Sequence, residues 1–84
     1  MNKLSKQQRE NIITFIGCIL NQQIHWLNQQ EWDSIALGAM SISGLILLLK
    51  GEIDIEEFIK EFTQSPHERE LFEIIFSEIE FQVP

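Results

Sequence analysis

Four points in this 84-residue chain carry the side-chain chemistry that starts a helix, and together they leave room for little except a helical fold. The first N–H groups of a helix have no partner inside it, so a short oxygen-bearing side chain just ahead satisfies one of them. Ser5 precedes Lys6-Gln7-Gln8, and Gln8 is placed to reach back to the Ser5 backbone. Asp33 is expected to cap a second helix, with Trp32 and Leu37 as the apolar pair that staples its entry. Asp54 repeats the design, with Glu57 three residues on and Ile53 and Phe58 as the staple. Ser65-Pro66-His67-Glu68 offers a cap, a proline at the first helical position and an acid at the third.

Between these starts, apolar residues recur every three or four positions. Ile13, Ile16, Leu20, Ile24 and Leu27 trace a stripe along the first helix, widened on one side by Ile12, Ile19 and Trp26. Ile55, Phe58, Ile59 and Phe62 do the same in a short third helix, and Leu71, Phe72, Ile75, Phe76 and Ile79 mark the buried face of the fourth. Ser34 to Leu49 runs sixteen residues without a charge and is apolar nearly all round, as suits a helix packed on several sides. As a helix it spans about 24 Å, short of the roughly 30 Å of a bilayer core, so burial in a soluble bundle is expected over membrane insertion. Its small residues Ala36, Ala39 and Ser43 share a flank that another backbone can approach. Gly51 suits the left-handed residue that closes a helix, and the short links favour antiparallel neighbours. The expected fold is all-α, a compact four-helix bundle-like single domain over residues 1–84. Its helices fall at about 6–29, 34–50, 55–63 and 66–81, with a frayed tail at about 82–84.

Composition supports this. A domain of this size buries only about 60–65% of its unfolded surface, so its core must be efficient. With 44% hydrophobic residues, six Phe and two Trp, the chain has the material, and its ordinary charged fraction argues against disorder. Cys18 is alone, which excludes an internal disulfide and fits a reducing compartment; in mid-helix it reads as a packed or half-buried thiol. No signal-peptide pattern is visible, and a cytoplasmic protein is expected.

Charge is segregated. Of thirteen acidic residues, ten follow Lys50, whereas Asn11 to Gln30 carries no charge; the formal net charge is −7. Only the first ten residues are basic, so direct nucleic-acid binding is disfavoured. Glu56, Glu57 and Glu61 fall on the outer side of the third helix. Glu70, Glu73 and Glu80 fall within about 80° of one another on the fourth, opposite Leu71, Ile75 and Ile79. These six are the expected partner-binding acids; the plainer reading is a solvated face that keeps a small domain soluble. The polar side of the first helix is also unusual, showing Asn11, Thr14, Asn21, Gln22, His25 and Gln29 where Lys and Glu are customary. Charge is depleted at interface centres, and Trp26 and Trp32 are candidate aromatic anchors beside that face. A compositional bias toward Asn and Gln accounts for it equally simply.

Signals for catalysis or metal binding are weak. His25 and His67 have no acid or Cys at ligand spacing, and no Ser-His-acid set or phosphate-binding loop is present. Gly38 and Gly44 read as packing positions within a helix. Gly51 to Phe58 resembles the second half of an EF-hand calcium loop, yet Ile46, Leu48 and Lys50 occupy the first three ligand positions, where none offers a carboxylate. A capped amphipathic helix explains the same string. No catalytic residue, cofactor or metal is therefore expected. The expected function is that of a small acidic intracellular interaction module, an inhibitor or regulator that occludes a basic, including nucleic-acid-binding, surface of a partner protein. Anti-defence and immunity-type proteins share this size and charge. The alternative is a homo-oligomeric structural or adaptor subunit, such as a homodimer, assembled through the uncharged faces of the first two helices.

Overall fold

The computed structural model describes residues 3–83, and its four helices are α1 (Lys6–Asn28), α2 (Trp32–Leu49), α3 (Ile55–Phe62) and α4 (Pro66–Ile75). Three of the four expected caps form. Gln8 N–H donates to Ser5 Oγ at 3.1 Å while Ser5 N–H donates to Gln8 Oε1 at 2.8 Å. Glu57 N–H donates to Asp54 Oδ1 at 2.8 Å, and Glu68 N–H to Ser65 Oγ at 3.2 Å.

The second start differs from expectation. The helix begins at Trp32, ahead of Asp33, and Glu31 at its cap makes no side-chain cap bond. Backbone bonds close the turn instead. Gln30 adopts φ +57°, Glu31 N–H donates to Trp26 O at 2.9 Å, and Gln30 N–H donates to Leu27 O at 3.1 Å. These bonds satisfy the last carbonyls of α1 and turn the chain so tightly that α2 starts at once. Asp33 becomes a first-turn acid facing the helix dipole, and Trp32 is exposed. The other end of α2 closes in the same way, on Gly51 at φ +78° with Glu52 N–H donating to Leu47 O at 3.0 Å.

α1 and α2 form an antiparallel hairpin whose register two side chains report. Gln23 Nε2 donates to Ile35 O at 3.0 Å near the turn, and Arg9 Nη1 to Leu49 O at 3.3 Å at the far end. α3 lies on α2 at Gly44, where an added Cβ would come within 2.8 Å of the Phe58 and Phe62 rings; the missing side chain is what admits the ring pair. α4 lies on α1. Phe58 joins the two short helices, meeting Phe72 at 4.8 Å and Phe76 at 5.4 Å between centroids in edge-to-face contacts. The buried apolar residues are Ile12, Ile19, Leu45, Leu48, Phe58, Phe72, Ile75 and Phe76. They gather at the end of the hairpin away from its turn.

Two expectations about burial are corrected here. α1 is rotated by about one residue, or 100°, from the expected phase. Ile12 and Ile19 face the core, whereas Ile13, Leu20, Ile24 and Leu27 are 53–64% exposed. α2 is not enclosed on several sides either. Only Gly38, Gly44, Leu45 and Leu48 are buried in it, since α3 and the core reach only its later turns. At 18 residues it is long and apolar enough, by length and composition, to cross a membrane. Cys18 is half-buried, and Gln82 and Val83 are exposed and irregular. Pro84, the last residue of the expected tail, lies outside the described residues.

Phe72→Ala should lower unfolding free energy by about 3–5 kcal/mol, since it opens a cavity beneath three other rings. Leu20→Ala should cost about 1 kcal/mol or less, because half of that side chain is already in water. Urea unfolding at low protein concentration separates the two.

Candidate functional site

The segment after α4 is shaped by one buried side chain on α1. Asn11 is 2% exposed. Its Nδ2 donates to the carbonyls of Ile75 at 3.1 Å, Ser77 at 3.3 Å and Ile79 at 2.8 Å. Its Oδ1 accepts the Phe81 N–H at 2.9 Å and Gln7 Nε2 at 2.8 Å. Gln8 Nε2 adds a bond to Phe76 O at 2.7 Å. α4 therefore ends at Ile75 and not near residue 81 as expected, because these carbonyls turn toward α1 instead of continuing a helical ladder. Phe81 returns to the core edge-on against Phe15, with centroids 5.8 Å apart.

This turn decides what the C-terminal acids do. Ile79, expected on the buried face, is 77% exposed, and Leu71 lies at the margin of a core face made by Phe72, Ile75 and Phe76. Glu80 leaves the helical wheel on which it was expected but returns to the same neighbourhood. Glu70, Glu73 and Glu80 line one shallow depression with Ile74, Ile79 and Phe81. All three carboxylates are exposed. Among the described residues the one ion pair is Lys50 Nζ to Glu52 Oε1, at 3.1 Å, so none of the three is neutralised by a cation. Carboxylates gathered around apolar side chains concentrate negative potential over a surface that is also favourable to bury. Such a site fits a Lys or Arg, with the stem on the isoleucines and the head on the acids.

The other expected acids are not part of it. Glu56, Glu57 and Glu61 are exposed on α3, with Lys60 between them in sequence, and Glu56 lines a separate recess with Lys3 and Asp54. The expected acidic surface is thus divided. The tryptophans are divided too. Trp26 is half-buried in a groove with Phe15, Leu37 and Leu71, between the hairpin and α4, and Trp32 is not among the residues lining it. On the uncharged side of α1, Asn21, Gln22, His25 and Gln29 are exposed as expected, whereas Asn11 is the buried hub just described.

Sequence reasoning missed Ile74 as a surface residue and placed Asn11 on the polar face of the first helix, not in the interior. The available signal for Asn11 was its place one residue before Ile12, at the edge of the core stripe. It also missed a second surface, where Ile13, Leu20, Ile24 and Leu27 of α1 are exposed, as are Trp32, Met40 and Ile46 of α2. Among the described residues no group of His, Cys, Asp and Glu is placed to hold a metal ion.

Comparison with known protein families, with curated proteins and with solved structures found no match to this chain.

Asn11→Ala should destabilise the fold by about 2–4 kcal/mol, since several carbonyls and an N–H lose their partner at once. The Phe81 amide should lose its protection against hydrogen exchange, while amides in the middle of α2 still exchange only through global unfolding. Amide exchange followed by NMR reads both.

Proposed function

We propose that this chain is a small non-catalytic interaction module, an inhibitor or regulator. It lays the carboxylates of α4 and the following segment over a basic surface of a partner protein. The observation that supports this most is the gathering of Glu70, Glu73 and Glu80 around the exposed Ile74 and Ile79. Exposed ion pairs contribute only about 0–1 kcal/mol each, so the acids supply orientation and fast encounter. The isoleucines supply the area, at about 25 cal/mol per Å² of apolar surface removed from water. Surfaces rich in Lys and Arg include those that hold nucleic-acid phosphates, and covering one would block it. The lone, half-buried Cys18 fits a reducing intracellular compartment.

The test is retention of a partner from host lysate on the immobilised wild-type chain and on a Glu70→Gln/Glu73→Gln/Glu80→Gln variant, at low and high salt. The expected partner is lost from the variant and from wild type at high salt, and it carries a Lys/Arg-rich surface. A partner retained equally under all conditions contradicts the reading. The variant's far-UV circular dichroism and melting temperature should match wild type, since the three side chains are exposed.

A second reading, self-assembly through the uncharged faces of α1 and α2, is favoured by a different observation. Large aliphatic side chains lie exposed along α1 with no charge among them between Asn11 and Gln30.

A further inference from the structure

We infer that α1 pairs with α1 of a second copy of this chain, antiparallel, about a two-fold axis beside Leu20. The contact is the exposed stripe Ile13, Gly17, Leu20, Ile24 and Leu27. This rests on the self-assembly reading and gives it a partner, a direction and a register.

The stripe steps by four, three, four and three residues, which is the spacing of a coiled-coil seam. α1 carries two such seams side by side. Ile12, Ile16, Ile19, Gln23 and Trp26 make the inner one, at least half-buried throughout, and the outer one is open to solvent. The outer seam contains its own hole, since a Cβ placed on Gly17 meets nothing within 4 Å. It also matches its own reverse to within one residue. With two copies opposed about Leu20, Ile13 faces Leu27 of the second copy, Leu20 faces its twin, and Ile24 fills the space over Gly17 of the second copy. A large residue meets a small one at each off-axis position beside the centre, as interdigitation requires.

Charge selects the direction. At the first end of the stripe Lys6 and Arg9 outnumber Glu10, and beyond its last residue stand Glu31 and Asp33. Antiparallel pairing brings Arg9 of each copy to Glu31 of the other, whereas parallel pairing opposes Arg9 to Arg9 and Glu31 to Glu31. Charge also selects the surface. Each copy has a formal charge of −7, so a contact between two is favoured where acids are fewest, as along Asn11 to Gln30. Asn11 and Phe15, which hold α4 and the segment after it, lie about 140–180° around α1 from Leu20. The carboxylates of α4 therefore point away from the seam. A bilayer is the rival occupant, but the exposed Asn21 and Asn28 beside the seam suit a facing helix better than acyl chains.

Sedimentation velocity of the full chain from low to high micromolar concentration tests the pairing. Wild type should pass from monomer to dimer. Leu20→Glu sets two carboxylates against each other on the axis and should raise the dissociation constant at least ~100-fold, with an unchanged helical signal. Arg9→Glu alone should weaken the dimer roughly 3–10-fold, and Arg9→Glu with Glu31→Arg should restore it. Arg9 also bonds Leu49 O, but that bond is lost in the single and the double variant alike, so restoration isolates the new ion pair. A wild-type monomer at every concentration overturns self-assembly itself. A dimer indifferent to Leu20→Glu, or not restored by the charge exchange, leaves self-assembly standing and overturns this pairing. Flotation with phosphatidylcholine vesicles that is abolished by Leu20→Glu assigns the seam to a bilayer and also overturns it. None of these variants touches Glu70, Glu73 or Glu80, so the acidic-face reading stands or falls separately.

Discussion

A carboxamide buried at 2% exposure must have its donors and acceptor occupied, and in this fold that requirement falls on Asn11. Its bonds to Ile75, Ser77, Ile79 and Phe81 fix the rotation of α1, the end of α4 and the path of everything after it. With Asn11 turned toward α4, Ile12, Phe15 and Ile19 follow it inward. Ile13 and Leu20, one residue further round, are left outside. The exposed seam on α1 and the acid-rimmed depression beside α4 are thus two results of one polar constraint.

The elements themselves were legible from local chemistry. Ser5, Asp54 and Ser65 each cap the helix they announce, because a cap depends on residues within four positions. What local chemistry could not supply was phase and termination. α1 has apolar residues over so much of its circumference that two stripes compete, and the outer one looks more hydrophobic, since the inner one contains Gln23. Gln23 is tolerated there because it donates to Ile35 O across the hairpin, a bond no count of apolar residues anticipates. α4 ends early for a similar reason, through acceptors that bond a side chain more than sixty positions away. Asp33 misled more simply: backbone bonds of the preceding turn made its cap unnecessary. Of the site, exposure of the six acids and their two sets were legible, whereas the path that returns Glu80 to Glu70 and Glu73 was not, because Asn11 and not a helix positions it.

Segregation of charge makes the two faces compatible. A chain of this size with −7 would repel itself wherever carboxylates and apolar patches intermix. Here the acids are carried by short helices laid on one side of a long hairpin, and the hairpin itself is uncharged between Asn11 and Gln30 and again from Ser34 to Leu49. Gly44 contributes by letting α3 sit close enough for Phe58 to reach Phe72 and Phe76, which draws the acidic elements onto the core.

The order in which a ribosome makes this chain adds a meaning to the Asn11 hub. The hairpin is complete in sequence by Leu49, well before Ile75 to Phe81 has been synthesised. Until then the Asn11 amide has only Gln7 and water, and the inner seam of α1 lacks its aromatic cover. Ile75 to Phe81 is the segment that seals the interior, so a nascent chain remains open on that side to chaperones until this segment has been made.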